Sequence, residues 1–214
     1  MKKRPVAVAA PAPRSRRAIV MCAVATVVLL AADLGTKAWA VETLSRPPAT
    51  DPGPVCDNPP RWTQRDRGPV VGVIDGFLEF RYAENCGAAF GLGSDGPFLL
   101  RRLLFIAAAL LASVVLLVMF VRGRGGPLFA ASVPLVVSGA LGNLVDRVRY
   151  GYVVDFIRIY DLPNPFGERW AWPTFNVADC GITVGVILLV IDGFLEPRAQ
   201  AAGASRAPAP GKAG

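Results

Sequence analysis

Four long stretches of this 214-residue chain are almost free of charge, and they limit its fold more than any other feature. A helix needs about 20 apolar residues to cross the hydrocarbon core of a bilayer. Only 18% of the residues are charged, whereas soluble domains carry about 25%. The four stretches predict transmembrane helices over Ala18–Trp39, Leu103–Val121, Pro127–Val145 and Phe175–Ile191.

The first stretch has a competing interpretation as a cleaved signal peptide. Its basic start, its apolar core and the segment Ala38-Trp39-Ala40 are all typical of one. Asp33 and Lys37 argue against cleavage, because they place two charged residues just before the cleavage site that Ala38-Trp39-Ala40 would provide. Their i, i+4 spacing on a helix favours an ion pair, so we interpret both residues as structural.

The longest polar stretch, residues 41–97, predicts a small sheet outside the membrane. Pro69–Ile74 and Phe77–Ala83 have the composition of strands, and apolar and charged side chains alternate along the second. Asp75-Gly76 between them is typical of a type I′ hairpin turn. The fold class is therefore an all-α membrane protein, with four transmembrane helices and a small outer β-sheet between helices 1 and 2. The outer β-region covers about residues 69–90.

Positive charge sets the orientation of the helices, because lysine and arginine collect on the cytoplasmic side of membrane proteins. The basic residues before the first helix, with no acid among them, are Lys2, Lys3, Arg4, Arg14, Arg16 and Arg17. The short turn at 122–126 is also basic. Arg101 and Arg102 argue mildly for the opposite orientation. Because the basic cluster flanks a membrane helix, it does not indicate nucleic-acid binding.

We therefore expect both chain ends to be cytoplasmic and residues 41–97 and 146–175 to lie outside. Residues 1–17 and 196–214 are rich in alanine and proline, which predicts disordered tails. The segment 18–195 between them is predicted to be a single four-helix membrane domain.

The amino-acid composition excludes several kinds of catalytic chemistry. The chain has no histidine, which excludes Ser-His and Cys-His catalysis and argues against a zinc hydrolase site. Its four cysteines form no CxxC pair, so no metal site or cofactor is expected. Cys22 and Cys180 fall in apolar segments and should pack as small hydrophobic residues. Cys56 and Cys86 fall in the same outer region, where an oxidising compartment would permit a disulfide.

Carboxylates at membrane depth are costly and usually functional. Asp155 follows an apolar segment without a basic neighbour, a setting that raises the pKa of a carboxyl group. Asp179 lies in the first turn of helix 4, at the boundary where Asp155 should also lie. Two carboxylates that share a proton can activate water without histidine or metal. The alternatives are a solvated loop carboxylate at Asp155 and a simple helix-end charge at Asp179.

Polar side chains also share helix faces near these two aspartates. Asn143, Asp146 and Arg147 lie on one face of helix 3, and Asn176 shares a face with Asp179. Asp146 is expected to pair with Arg147 or another nearby donor, while Arg147 has the alternative of binding a substrate carbonyl. Small residues spaced by four in Ser138–Gly142 and Gly181–Gly185 favour packing of helix 3 on helix 4, although glycine is common in membrane helices generally.

Together these segments resemble one family, the lipoprotein signal peptidases (signal peptidase II). The matching segments, which occur in the family's order, are Asp33–Lys37, Asn85–Phe90, Gly139–Arg147, Gly151–Phe156 and Phe175–Asp179. The match extends over about residues 18–195. Among the departures, Cys86 stands where the family commonly has threonine or proline, and the proline-rich segment 47–68 looks like an insertion. The connection from Asp155 to Asp179 is also several residues longer than usual.

The resemblance implies an aspartic endopeptidase of the bacterial inner membrane. Such an enzyme removes signal peptides from diacylglyceryl-modified prolipoproteins, cutting just before the lipidated cysteine. The resemblance also implies that Asp155 and Asp179 are catalytic. Asn85, Asn143, Arg147 and Asn176 would bind substrate, and Asp33, Lys37 and Asp146 would support the site. We expect a monomer whose partners are prolipoproteins and membrane lipid, with its active site near the outer face.

Two other kinds of protein also fit a membrane bundle that contains aspartates. A transporter would use Asp146, Asp155 and Asp179 as a proton or cation relay, but it would spread them through the membrane rather than gather them at one end. A non-catalytic assembly protein would use polar residues only to hold helices together. It would therefore tolerate asparagine at both Asp155 and Asp179.

Overall fold

The computed structural model describes residues 12–45, 64–66, 68–87, 97–160, 162–163 and 169–205. In this part of the chain there are four long helices: α1 (Arg16–Leu44), α2 (Phe98–Val121), α3 (Pro127–Arg149) and α4 (Val177–Ser205). Each is long and apolar enough to cross a membrane. The prediction of a four-helix multi-pass membrane protein is therefore confirmed.

Helix α1 is longer than the predicted Ala18–Trp39. Ser15 caps its first turn by accepting a hydrogen bond from the backbone N–H of Ala18. Its last turns continue to Leu44 because Ala40 and Leu44 are fully buried against the outer sheet. Helix α4 likewise continues beyond the predicted end, to Ser205. Residues 1–11 and 206–214 of the two predicted tails lie outside the described residues.

Helix α3 is the centre of the bundle and packs against the other three helices. Half of its most apolar window is buried, compared with 11–17% for the other helices. Its small residues allow this close packing: a Cβ added at Gly139 would lie 2.5 Å from the carbonyl oxygen of Ala178 on α4. A Cβ at Gly185 would lie 2.5 Å from Val136. The predicted packing of helix 3 on helix 4 is confirmed.

The predicted hairpin between α1 and α2 is present. Strands β2 (Val71–Ile74) and β3 (Leu78–Asn85) pair antiparallel around Asp75-Gly76, and Gly76 has the positive φ of 71° that the turn requires. Ile74 lies opposite Leu78, so the hairpin loop contains three residues instead of the two of a type I′ hairpin. A short strand β1 (Gln64–Asp66) pairs with the end of β3. Residues 88–90 of the predicted β-region lie outside the described residues.

The sheet also contains a strand that was not predicted. The sequence indicates only a connection over residues 146–175, but β4 (Val153–Ile159) pairs antiparallel with β3, with one register shift between Phe80 and Ala83. The short strands β5 (Leu162–Pro163) and β6 (Arg169–Trp170) form a separate ribbon. The outer sheet is therefore built from both outer segments of the chain, and β3 is its central strand.

Aromatic and aliphatic side chains fix the sheet to the end of α1. The rings of Trp39, Phe80 and Phe156 meet edge to face, with centroids 5.5–6.1 Å apart. Tyr82 and Val154 pack into the same buried cluster as Ala40 and Leu44 of α1. Because aromatic pairs with this geometry stabilise contacts beyond simple area burial, the sheet is held rigidly over one end of the bundle.

Candidate active site

The predicted site residues meet at the end of the bundle that the sheet covers. Asp155 comes from β4 and Asp179 from the first turn of α4. Asn85 comes from β3, and Asn143 comes from the final turns of α3. The site is therefore assembled from the sheet and from two helices that meet at one end of the bundle.

Asp179 is oriented by the start of its own helix. Asn176 precedes α4, and its side-chain oxygen accepts the backbone N–H of Asp179 at 3.0 Å. In return, Asp179 Oδ2 accepts the backbone N–H of Asn176 at 3.2 Å. This reciprocal arrangement is a capping box. It satisfies two otherwise unpaired N–H groups of the helix end and fixes the Asp179 carboxylate at the same time.

Asp155 is oriented by the alternation of side chains along β4. Val154 and Phe156 point toward α1, where they are buried, so Asp155 points to the other face of the sheet. There Asn85 donates its Nδ2 to Asp155 Oδ2 at 2.9 Å. Asn176 donates its Nδ2 to Asp155 Oδ1 at 2.7 Å. Asp155 is fully buried, whereas Asp179 is only partly buried.

Asn143 and Asn176 connect the two carboxylates. Asn143 Nδ2 donates to Asp179 Oδ1 at 2.9 Å, and Asn143 Oδ1 accepts from Asn176 Nδ2 at 3.2 Å. Every carboxylate oxygen of Asp155 and Asp179 therefore accepts at least one amide N–H. The two acids are held as one unit by neutral donors, which position them without neutralising their charge.

The environment of Asp155 favours its protonated form. Burial raises the pKa of Asp155 well above its usual range, and the nearby charge of Asp179 raises it further. The hydrogen bonds from Asn85 and Asn176 act in the opposite direction but do not overcome burial. Because burial and a second negative charge nearby both disfavour the ionised form, Asp155 keeps its proton well above the pH at which a free aspartate loses it.

Asp33, Lys37 and Asp146 form a buried charged group directly beneath this pair. Lys37 Nζ lies 2.9 Å from Asp33 Oδ2 and 3.0 Å from Asp146 Oδ2. It also donates a hydrogen bond to Asn143 Oδ1 at 2.8 Å. The predicted i, i+4 ion pair of Asp33 and Lys37 is present. Of the two donors considered for Asp146, the described contacts show the nearby lysine rather than Arg147.

Arg147 binds backbone carbonyl groups. Its Nη2 donates to the carbonyl oxygen of Gly87 at 3.0 Å and its Nη1 to that of Asn143 at 3.3 Å. The guanidinium also lies over the ring of Phe105, 5.0 Å from its centroid. Arg147 therefore joins α3 to the segment that follows Asn85, beside the two aspartates.

The described cysteines include both bonded and free residues. Cys86, next to Asn85, forms a disulfide, whereas Cys22 and Cys180 are free thiols. Cys56 lies outside the described residues. Disulfides persist in oxidising compartments.

Two backbone N–H groups bind carboxylates of the site, and the pattern of polar residues in the sequence indicates neither contact. The N–H of Val154 donates to Asp146 Oδ2 at 3.1 Å. The N–H of Ala178 donates to Asp33 Oδ1 at 2.9 Å. The β-branched residues of the segment Val153–Ile159 are a strand signal that would have located Val154. No sequence pattern indicates the contact of Ala178, because it joins residues 145 positions apart.

A pair of neighbouring carboxylates, held by amides at one end of a membrane bundle, is typical of membrane-embedded aspartic hydrolases. Comparison with known proteins agrees with this class. The family model described as signal peptidase (SPase) II matches residues 25–195, so the chain belongs to the signal peptidase II family.

Individual relatives carry the name lipoprotein signal peptidase. That of Syntrophus aciditrophicus is 43% identical over 121 residues, which are 56% of this chain and 71% of that protein. That of Chlorobium phaeovibrioides is 39% identical over 143 residues, 65% of this chain and 82% of that protein.

Solved structures of two bacterial membrane enzymes have the same fold. One superimposes with a TM-score of 0.61 at 25% identity, covering 91% of this chain and 96% of the enzyme. The other gives 0.58 at 28% identity, covering 81% and 92%.

Proposed function

We propose that this protein is a prolipoprotein signal peptidase in which Asp155 and Asp179 form the catalytic pair. It removes signal peptides from diacylglyceryl-modified prolipoproteins by cutting before the lipidated cysteine. Membership of the signal peptidase II family supports the reaction. The observation that carries the residue assignment is that Asn176 contacts both carboxylates, Asp155 through its side chain and Asp179 through its backbone.

In the proposed mechanism, the aspartate pair carries one proton and activates a water molecule. Asp179 accepts a proton from the water molecule, and the oxygen of that water attacks the carbonyl carbon of the scissile peptide. Asp155, the buried and protonated partner, donates its proton to the carbonyl oxygen. The proton on Asp179 then passes to the leaving nitrogen as the C–N bond breaks, and Asp155 recovers its proton from the gem-diol hydroxyl. Water is consumed and no metal or histidine takes part.

The other polar residues divide into two groups by their contacts. Asn143 and Asn176 hold the carboxylates, so their main role is to orient the pair. Asn85 holds only Asp155, and Arg147 reaches the carbonyl oxygen of Gly87 beside it; we assign these two residues to substrate binding. We propose that the substrate's signal helix enters sideways from the membrane while its acyl chains stay in lipid. That arrangement would fix the scissile bond near the aspartates at low entropic cost.

We further propose that this end of the bundle faces outward from the bacterial inner membrane, with both chain ends cytoplasmic. Arg14 binds the carbonyl oxygen of Gly125 at 2.7 Å, so the basic N-terminal segment and the basic turn lie together at the opposite end. Positive charge favours the cytoplasm. Arg102 lies at the site end, but it donates to the carbonyl oxygen of Val148 at 2.8 Å. The disulfide at Cys86 also supports an oxidising, outer location.

The proposal is tested by incubating the purified protein with a diacylglyceryl-modified prolipoprotein. We expect two products whose masses sum to that of the substrate plus one water. The larger product should begin with the lipidated cysteine. The same prolipoprotein without its lipid is the control and should be cut much more slowly. Absence of cleavage of the lipidated substrate, or cleavage at another bond, would contradict the proposal.

The pKa of Asp155 leads to a prediction about pH dependence. Asn85 stabilises the ionised form of Asp155, so Asn85→Ala should raise the pKa of Asp155 further. The pair would then keep its proton to a higher pH, and the alkaline limb of the kcat profile should move upward. The measurement is kcat against pH for both proteins.

Glu79→Gln on the same strand is the matched control for this profile. Glu79 forms an ion pair with Arg158 at 2.8 Å and is not among the groups that shift the pKa of Asp155. The alkaline limb of the kcat profile of Glu79→Gln should lie at the same pH as that of the unmodified protein. An alkaline limb that stays fixed or moves downward in Asn85→Ala would show that Asp155 is not the group that titrates there.

A further inference from the structure

Lys37 is a cation enclosed within the bundle, with only 3% of its surface exposed. Its ammonium nitrogen lies within 3.0 Å of three acceptors, on Asp33, Asn143 and Asp146. Two of these acceptors lie on α3 and one on α1. A single charged atom therefore joins the two helices directly beneath the catalytic pair.

Each carboxylate bound by Lys37 also holds one backbone amide, and the positions of these amides are informative. Asp146 accepts the N–H of Val154, the residue immediately before Asp155. Asp33 accepts the N–H of Ala178, the residue immediately before Asp179. Thus one carboxylate fixes the peptide unit leading into the first catalytic aspartate, and the other fixes the unit leading into the second.

The third acceptor extends the same arrangement to the side chains. Asn143 accepts from Lys37 through Oδ1 and donates to Asp179 through Nδ2. Because a donor occupies its oxygen, the amide is fixed with its nitrogen toward the aspartate. The ammonium and the Nδ2 of Asn176, which donates to the same oxygen at 3.2 Å, together determine which way Asn143 presents its donor.

We propose that Lys37 is a positioning residue that sets the separation of Asp155 and Asp179 by drawing Asp33, Asn143 and Asp146 to one point. The inference rests on the proposed function, because it concerns the geometry of the same pair. Lys37 positions both aspartates through these three neighbours, and its charge also lowers the pKa of Asp155. Moving α1 away from α3 would release the peptide units before both aspartates together.

Stability alone does not account for this group. Burying two carboxylates and an ammonium costs roughly as much desolvation energy as their attraction returns, so buried ion pairs often add little net stability. In contrast, a misplacement of about 1 Å at a reacting centre can lower a rate by about 10²-fold. The network is therefore better explained by the precision it gives to the two aspartates.

The test compares Lys37→Met with the double variant Lys37→Met/Asp33→Asn. The single variant leaves two buried carboxylates facing each other without a cation, so it is expected to fold poorly. The double variant keeps the net charge of the group at −1, because one positive and one negative charge are removed together. It also keeps side-chain acceptors for the amides of Val154 and Ala178, but it lacks the ammonium.

For the double variant we expect kcat to fall by about 10²-fold, with KM for the lipidated prolipoprotein unchanged within about twofold, because Lys37 does not reach substrate. Hydrogen exchange followed by mass spectrometry should be faster in peptides covering 150–157 and 174–181. Exchange in the rest of α3 and α4 should not change. If Lys37 acted only through its charge on Asp155, kcat would change but hydrogen exchange in both peptides would keep its original rate.

Arg158→Met is the matched control, since Arg158 is also a cation in an ion pair and lies on β4 near Asp155. It should keep kcat close to that of the unmodified protein and leave exchange at 174–181 unchanged. Unaltered exchange around both aspartates in the folded double variant would overturn the positioning role, whatever the enzyme's substrate. Failure of the unmodified protein to cleave prolipoprotein would instead count against the proposed function, and the exchange measurement would still decide the role of Lys37.

Discussion

Replacing either Asp155 or Asp179 with asparagine is expected to lower kcat by about 10⁴-fold, the upper end of what general acid–base catalysis contributes. Asparagine keeps the size of the side chain and one acceptor oxygen, so one of the two amide contacts of each aspartate can persist, while the new NH2 group faces the other donor. What is lost is the ability to exchange a proton. In the proposed mechanism each aspartate both gains and gives up a proton in every turnover, so neither can substitute for the other.

The double variant Asp155→Asn/Asp179→Asn should be no less active than either single variant, because residues that act as one catalytic unit are not additive. Asp192→Asn is the matched control. Asp192 is a buried aspartate on the same helix, but it lies at the opposite end, where it accepts the backbone N–H of Gly126. The introduced asparagine keeps an acceptor oxygen for that N–H, so this variant should retain activity. Full processing by either folded single variant would refute the catalytic pair.

The features of the fold that sequence could predict are those governed by local physics. The absence of charge in Leu103–Val121 defines a membrane helix without reference to any other part of the chain. The Asp75-Gly76 turn likewise depends only on backbone preferences at two positions. By contrast, the extension of α1 to Leu44 depends on burial against β3 and β4, which no local pattern of the helix reveals.

Strand β4 was not predicted because its sequence lacks the usual alternation of apolar and polar residues. In Val153–Ile159 the residues on both faces are buried or partly buried, because one face packs on α1 and the other forms the site. A strand buried on both faces lacks the simple alternation of apolar and polar residues. The sequence places Asp155 in a connection between helices, although the pairing of β4 with β3 is what brings it to Asn85.

The structure brings together the polar residues that the sequence indicates, but the contacts among them were not predictable. The absence of histidine favours an aspartate pair, but the residues alone leave Asp146 as a rival to Asp155, and the family resemblance is what implies the pair Asp155 and Asp179. The partner of Asp146 was not predictable, because Lys37 is far away in sequence and Arg147 is adjacent. Short-range spacing favours the neighbour, whereas the three-dimensional contact of α1 with α3 determines the actual ion pair.

Gly139→Ala is the second substitution with a large expected effect. Its new Cβ would lie 2.5 Å from the carbonyl oxygen of Ala178, whereas ordinary van der Waals contacts begin at 3.4 Å. Helix α4 must therefore move away from α3 by about 1 Å. The obstacle is backbone and cannot rotate aside. Because Ala178 precedes Asp179, the retreat moves that aspartate away from Asn143 on α3. We expect a loss of about 10²-fold in kcat and of about 1–3 kcal/mol in stability from overpacking.

Gly35→Ala is the control that separates crowding from the chemical change of glycine to alanine. Gly35 lies on α1 close to Asp33 and Lys37 in sequence, yet nothing lies within 4 Å of a Cβ added there. Alanine is a better helix former than glycine by about 0.5–1 kcal/mol, so this variant should be at least as stable as the original and fully active. Thermal unfolding in detergent and kcat would be measured for both variants. Equal activity of Gly139→Ala and Gly35→Ala would mean that the α3–α4 spacing does not control the position of Asp179.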